Sequence, residues 1–122
     1  MARTILIVED DRALAGTLEI GLLALDDVDT VTVFDGREAM EYLEVNTPAP
    51  AVVLTDLDLP RVDGYQLITW MRRQPELLRV PVVAMSARHD ATGALKAGAN
   101  DFLAKPFPLA TVRAKVQELL HG

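Results

Sequence analysis

The chain has 122 residues, half of them apolar, and a formal charge of -6 from 12 Lys and Arg against 18 Asp and Glu. This length suits one domain, residues 1–122, with a single core, and the acidic balance argues against direct binding to nucleic acid or to an anionic membrane. The absence of Cys excludes disulfides and thiolate metal sites, and with only four apolar residues before the first charged pair we expect a cytoplasmic protein without a signal peptide or membrane span.

Five apolar runs of strand length recur along the chain. They are Thr4 to Val8, Val31 to Phe34, Ala51 to Leu54, Val80 to Met85 and Phe102 to Ala104. These runs are apolar almost throughout instead of alternating with polar residues, which is typical of strands in a parallel sheet covered on both faces.

The segments between the strands have helical spacing. The first and last helices are each marked by one apolar face, formed by Leu14, Leu18, Leu22 and Leu25 and by Leu109, Val112, Val116 and Leu119. Asp35 and Glu38 form a capping box that opens a second helix, a third starts at Gly64 and ends before Pro75, and a short fourth lies within Ala91 to Ala97. The alternation predicts a doubly wound α/β fold, a five-stranded parallel sheet with helices on both faces.

Charged and polar side chains stand at the carboxyl ends of the predicted strands. They are Glu9, Asp10, Asp11, Asp56, Ser86 and Lys105. Each has an ordinary structural explanation when taken singly, such as a helix cap, a turn or a solvated loop. In a parallel sheet, however, these ends share one edge, where ligands of doubly wound folds bind.

Carboxylates brought together at one edge need compensation, because two like charges about 4 Å apart repel by roughly 4 kcal/mol at an effective dielectric constant of ~20. Oxygen ligands without Cys or a nearby His favour Mg²⁺. The chemistry indicated is phosphoryl transfer, with Asp56 as the nucleophile, Lys105 as a second cation and the Ser86 hydroxyl as a hydrogen-bond donor.

The chain resembles, from end to end, the receiver domain of two-component response regulators. Four stretches carry the resemblance in the order that the family has them: "ILIVEDD", "DLDLPRVDG", "VVAMSA" and "GANDFLAKPF". The resemblance implies a CheY-like, flavodoxin-like sheet with strand order 2-1-3-4-5. It also implies a signalling switch that is phosphorylated and dephosphorylated, and not a turnover enzyme.

The resemblance assigns a role to each of these residues. Asp56 would accept the phosphoryl group from a histidine kinase or a phosphotransfer protein. Mg²⁺ would be bound by Asp10 directly, by Glu9 through water, by the Asp56 carboxylate and by the backbone carbonyl of Asp58. Lys105 would be the family's lysine, and the bond between Lys105 and Pro106 is predicted to be cis.

The resemblance also implies how a signal would leave the domain. Ser86 would be the switch hydroxyl that moves toward the phosphoryl group, and Phe102 the switch aromatic ring that turns into the space it leaves. The face formed by the fourth helix, the fifth strand and the fifth helix would change, and a downstream protein or a linked effector domain would bind it. An ordinary core position for Phe102 is the alternative.

Two features depart from the family pattern. The segment from Ser86 to Gly98 is about three residues short, nearly one helical turn, so we expect a trimmed fourth helix and a locally mobile face. Asp58 adds an acid two residues beyond Asp56. We predict that Asp58 pairs with Arg88 and controls the access of water to phosphorylated Asp56; two solvated side chains are the alternative.

Other functions fit part of the pattern. An apolar strand that ends in Asp56 and Asp58 is also similar to the haloacid dehalogenase phosphatases, but the chain has no room for a substrate-covering cap. A receiver-like binding module that is not phosphorylated would not need the complete acidic and basic set. A flavin binder would need a phosphate-cradling loop after the first strand, which the sequence lacks.

Overall fold

The computed structural model describes residues 2–45, 48–88 and 91–121. Its strands are β1 (Arg3–Val8), β2 (Val28–Val33), β3 (Val52–Asp56), β4 (Val82–Ser86) and β5 (Asp101–Ala104). Its α-helices are α1 (Arg12–Leu22), α2 (Gly36–Val45), α3 (Gly64–Met71), α4 (Ala91–Ala97) and α5 (Leu109–His121), with a 3-10 turn at Pro75–Leu77. Within the described residues, no helix combines the length and the apolar character needed to cross a membrane.

The five strands form one parallel sheet in the order β2-β1-β3-β4-β5. This confirms the predicted fold class and strand order. The strand order reverses between β1 and β3, since β2 is added on one side of β1 and β3 on the other, so the carboxyl ends of these two parallel strands flank the cleft where such sheets bind ligands.

Each face of the sheet is covered by its own group of helices. Helices α1 and α5 pack on one face through Leu18, Leu22, Val112 and Val116. Helices α2, α3 and α4 pack on the other face, and their buried residues include Leu43, Leu67, Ile68 and Ala94. Every residue of β3 and β4 is buried, which explains why these strands carry unbroken apolar runs.

Several element boundaries differ from the predicted ones by a few residues. Strand β2 starts at Val28, earlier than predicted, because this edge strand tolerates the polar residues that precede Val31. Strand β3 continues two residues past the predicted apolar run, so Asp56 stands at the end of the strand, as predicted. Helix α1 ends at Leu22; Leu25 lies beyond the helix but still packs against the same core cluster.

The helix starts are fixed by local hydrogen bonds. At α2, the Asp35 carboxylate accepts from the Glu38 amide at 2.8 Å, as the predicted capping box requires. The returning bond comes from Phe34, whose amide donates to Glu38 at 2.7 Å, one residue before the cap. At α3, Asp63 and Gln66 form a second capping box, a D-x-x-Q signal that was present in the sequence.

Candidate functional site

The acidic triplet after β1 is divided among three environments. Glu9 is completely buried, and its carboxylate accepts from the Asp11 amide at 3.1 Å. Asp10 is exposed at the cleft. Asp11 is the N-cap of α1, where its side chain accepts from the amides of Ala13 and Leu14. Only the first two residues therefore offer their carboxylates to a ligand.

Asp56 stands at the end of β3, beside the triplet. The residue is 4% exposed, and its carboxylate accepts from the Asp58 amide at 3.0 Å. In the sheet Asp56 pairs with Met85 of β4, so Ser86 is the next residue along the neighbouring strand. The sheet register thus places Asp56 and Ser86, the nucleophile and the hydroxyl predicted from the sequence, at the same ends of neighbouring strands.

Glu9, Asp10 and Asp56 form a cluster of carboxylates. One oxygen atom from each lies within 4.8 Å of one from each of the others. Their like charges repel, and a divalent cation that accepts oxygen ligands and retains several waters would compensate for them. One fully buried carboxylate, one nearly buried carboxylate and one exposed carboxylate fit Mg²⁺, since the exposed side leaves room for water.

Lys105 is the cation of this cluster. Its Nζ atom donates to Glu9 Oε1 and to Asp56 Oδ2, at 2.8 Å in each case. The peptide bond between Lys105 and Pro106 is cis, as predicted. Burial alone would lower the pKa of Lys105, but the hydrogen bonds to Asp56 and Glu9 outweigh burial and raise the pKa. Lys105 therefore stays charged between the two carboxylates.

The ionised form of Glu9 is disfavoured in the folded protein, because its pKa is raised. Burial and, to a smaller extent, the charge of Asp56 together raise the pKa of Glu9 to about 7, despite the opposing hydrogen bonds from Lys105 and from the Asp11 amide. A second positive charge near Asp10 would favour the ionised form of Glu9 and lower its pKa. The electrostatics therefore agree with the donor atoms in indicating a cation site.

Ser86 and Asp58 form a second polar group next to the cluster. The buried Ser86 hydroxyl donates to Asp58 Oδ2 at 3.1 Å, and the Arg88 guanidinium donates to Asp58 Oδ1 at 2.9 Å. The contact predicted between Asp58 and Arg88 is present. Its effect on water access stays a prediction, as does the predicted binding of Mg²⁺ by the Asp58 carbonyl.

Phe102 lies in β5, on the helix α4 side of the sheet. Its ring is partly buried and packs against the core cluster of α2, α3 and α4. It pairs with Ala84, which lies two residues before Ser86, so Ser86 and Phe102 project from the same face of the sheet. This position agrees both with a switch and with an ordinary core ring, and the switch role stays a prediction.

An ion pair that no sequence motif predicted holds the loop after β3. The Arg61 guanidinium donates to Asp35 at 2.6 and 3.1 Å, and Arg61 has a positive φ of 66°. Burial opposes ionisation of Asp35, but hydrogen bonds from the Glu38 amide and from Arg61 prevail and lower its pKa. This ion pair joins the loop that contains Asp58 to the start of α2.

Helix α4 is short, as predicted. It has seven residues and one buried residue, Ala94. Gly93 allows close packing against α3, because a Cβ atom there would lie 3.0 Å from the Tyr65 hydroxyl oxygen. Residues 89 and 90, which belong to the shortened segment, lie outside the described residues. The mobility of this face stays a prediction.

Among curated proteins, this chain is similar to bacterial transcriptional regulators. It is 40% identical over 120 residues to the transcriptional regulatory protein PrrA of Mycobacterium tuberculosis and 40% identical over 121 residues to QseB of Haemophilus influenzae. The matches cover 96% of this chain but 49% and 52% of the two relatives. The chain thus spans about half the length of these relatives.

Solved structures share the fold at similar identity. The signal receiver domain of a signal transduction histidine kinase from Syntrophus aciditrophicus has a TM-score of 0.90 at 34% identity, covering 99% of this chain and 92% of that one. The receiver domain of the sensor histidine kinase PA1611 from Pseudomonas aeruginosa has a TM-score of 0.88 at 31% identity, covering both chains completely. That structure contains a magnesium ion coordinated in its active-site cleft.

The family model of the response regulator receiver domain matches residues 5–117. This range runs from β1 into α5 and includes the carboxylate cluster, Ser86 and Lys105. The matched length, the strand order and the relatives agree: this chain belongs to the response regulator receiver domain family of two-component signalling.

Proposed function

We propose that this domain is a phosphorylation switch in which Asp56 accepts a phosphoryl group from a histidine kinase or a histidine phosphotransfer protein. The observation that carries the proposal is the position of Lys105 Nζ, 2.8 Å from both Asp56 and Glu9, beside the three carboxylates. A carboxylate held next to a fixed cation and a cation site is suited to attack on an anionic phosphoryl group.

The transfer itself needs few protein groups. A carboxylate oxygen of Asp56 attacks phosphorus, the P–N bond of the phosphohistidine donor breaks, and the imidazole leaves with the electron pair. Glu9, Asp10, Asp56 and the Asp58 carbonyl would hold Mg²⁺, which when bound neutralises charge on the phosphoryl oxygens. Lys105 would supply a second positive charge, and the Ser86 hydroxyl would donate a hydrogen bond to the phosphorylated state.

A cavity beside the carboxylate cluster is a candidate docking site for the donor protein. It has a volume of about 410 Å³ and lies between the start of α1 and the segment after β5. The residues that line it include Leu14, Lys105 and Phe107. An apolar cavity that reaches Lys105 could accept the apolar surface around a donor histidine.

The proposed function also includes an output surface. The face formed by α4, β5 and α5 would bind a protein partner or a linked effector domain when Asp56 is phosphorylated.

Incubation with Mg²⁺ and acetyl phosphate tests the proposal. We expect intact-mass spectrometry to detect one added phosphoryl group, mapped to Asp56. The label should be lost in Asp56→Asn and when EDTA removes the metal. Asp26→Asn, a matched change at an exposed aspartate in the turn after α1, should keep the label. Labelling that persists in Asp56→Asn, or that never occurs in the wild-type protein, would refute the proposal.

The proposed control of water access needs its own measurement. After labelling and removal of the donor, the loss of phosphate from Asp56 can be followed in Asp58→Asn and in Arg88→Ala. If the pair shields the phosphorylated carboxylate, both changes should alter the rate constant by about tenfold, the factor typical of losing one charge-assisted contact. Equal rate constants in all three proteins would eliminate this role.

A further inference from the structure

The hydrogen bonds around Ser86 hold its hydroxyl group on Asp58. The hydroxyl donates to Asp58 Oδ2 at 3.1 Å, and its oxygen accepts from the Arg88 amide at 3.0 Å. The other Asp58 oxygen accepts from the Arg88 guanidinium at 2.9 Å. Ser86 is 1% exposed, so bulk water does not compete freely for this proton.

The backbone of Asp58 is held close to the Asp56 carboxylate, because the Asp58 amide donates to Asp56 Oδ1 at 3.0 Å. A phosphoryl group on Asp56 would bring about -1.5 to -2 charges and three acceptor oxygens to this place. The Asp58 carboxylate would then repel the new group and compete with it for the Ser86 hydroxyl. A hydroxyl group has one proton to donate, so it cannot serve both acceptors fully.

We propose that Asp58 is a positioning residue that holds the Ser86 hydroxyl in the unphosphorylated arrangement and so opposes the phosphorylated state. This inference rests on the proposed function, because it concerns the state that Asp56 enters after phosphorylation. The distance of 3.1 Å is slightly longer than is usual for an O–H···O bond. The bond can therefore be exchanged for a shorter bond to a phosphoryl oxygen, at a cost that weakens the apparent affinity of the site.

The equilibrium binding of beryllofluoride, a noncovalent analogue of the phosphoryl group, measures this cost without a dephosphorylation step. Binding to the whole domain is measured at saturating Mg²⁺, with the affinity for Mg²⁺ alone determined separately for each variant. We expect Asp58→Ala to bind beryllofluoride about tenfold more tightly than the wild type, as for the loss of one competing hydrogen bond to a charged group. Asp58→Asn should lie between them, because it removes the charge but keeps an acceptor for Ser86.

A double-mutant cycle tests whether the tighter binding in Asp58→Ala depends on the Ser86 hydroxyl. In a Ser86→Ala background, the gain caused by Asp58→Ala should fall to about threefold, since only the charge of Asp58 then remains to be removed. In an Arg88→Ala background, most of the gain should persist. Asp26→Asn is the matched control for net charge, and its affinity should equal that of the wild type.

Three outcomes would overturn the inference while leaving the proposed function intact. In each, the wild type binds beryllofluoride. In the first, Asp58→Ala binds no more tightly than the wild type. In the second, the gain is as large without the Ser86 hydroxyl as with it. In the third, the gain disappears only when Arg88 is absent. If neither the wild type nor any variant binds beryllofluoride at saturating Mg²⁺, the proposed function fails, and the role of Asp58 fails with it.

Discussion

Glu9 shows how one buried residue constrains the site. A fully buried carboxylate is costly unless it is paired, and its partner is Lys105, whose side chain is 19% exposed. Asp56 shares the same Nζ atom. Two carboxylates thus share one lysine, and its hydrogen bond to Glu9 does not offset the effect of burial, which raises the pKa of Glu9 to about 7.

Replacement of this lysine should be costly. We expect Lys105→Met to lower the free energy of unfolding by about 3 kcal/mol in metal-free buffer at pH 8, where Glu9 is charged, since a buried carboxylate loses its partner. At pH 6 the loss should be smaller. Because the pKa of Glu9 is raised in the folded state, the charged form of Glu9 is the destabilised one, and protonation removes its need for Lys105.

Urea unfolding at both pH values would measure this loss. Lys115→Met is the matched control, because Lys115 also donates at 2.8 Å to a carboxylate, that of the more exposed Asp101. That change should cost about 0 to 1 kcal/mol, as is usual for pairs near the surface. Equal losses in the two variants, or a loss at Lys105 that does not depend on pH, would contradict the role given to Glu9.

At the scale of the elements, the site depends on how closely α3 approaches the end of β3. Gly64 begins α3, and a Cβ atom there would lie 2.3 Å from the backbone oxygen of Asp56. The Gly64 amide also donates to the Leu57 carbonyl at 3.1 Å. Only glycine allows the helix to start directly against the strand end that carries Asp56, the proposed nucleophile.

A pair of glycine substitutions tests this packing. Gly64→Ala should lower the free energy of unfolding by about 3 kcal/mol or more, because backbone atoms of β3 must move to make room. Gly16→Ala, in the interior of α1 with no atom within 4 Å of the new Cβ, should raise it by about 0.5 to 1 kcal/mol. Thermal and urea unfolding measure both changes. A Gly64→Ala protein as stable as the wild type would show that the close approach is not required.

At the scale of the whole molecule, the sheet brings charged side chains from distant parts of the chain together at the carboxyl ends of its strands. The residues of the cluster and Lys105 come from the segment after β1, from β3 and from the segment after β5, and are separated by up to 96 positions in sequence. Unfolding separates these carboxylates, so the folded chain alone can offer them together to one ion. Binding of Mg²⁺ should therefore stabilise the entire domain.

Metal addition and removal test this linkage. At a Mg²⁺ concentration 100 times the dissociation constant, the free energy of unfolding should rise by about 2.7 kcal/mol, and EDTA should reverse the change. Asp10→Asn should lose most of the stabilisation because an exposed ligand is removed, whereas Asp26→Asn should retain it. An equal response to Mg²⁺ in Asp10→Asn and the wild type would rule out the carboxylate cluster as the binding site.

Much of the fold could be predicted because its signals are local. The apolar runs of β3 and β4, the capping residues Asp35 and Glu38, and the short α4 were all readable from neighbouring residues. Boundaries were less accurate. Strand β2 extends over polar residues that edge pairing stabilises, and α1 ends before Leu25 although this residue remains in the core.

The site was predictable in part. Strand ends in a parallel sheet share an edge, so the meeting of Asp10, Asp56 and Lys105 followed from the strand pattern and from the family resemblance. The ion pair between Arg61 and Asp35 was not predictable, because it joins two segments that are distant in sequence. It also depends on the positive φ of Arg61, for which the sequence contains no recognisable motif. Nor did the sequence indicate that the Ser86 hydroxyl donates to Asp58.

The sequence by itself determined the order of strands and helices and which residues stand at strand ends, because hydrophobic periodicity and capping act over a few residues. Only the tertiary structure decided how the acidic triplet is used: Glu9 is buried against Lys105, Asp10 is open to the cleft and Asp11 caps α1. Three adjacent carboxylates are alike in sequence. They differ in the fold because burial and distant partners, not neighbouring residues, set the electrostatic environment of each.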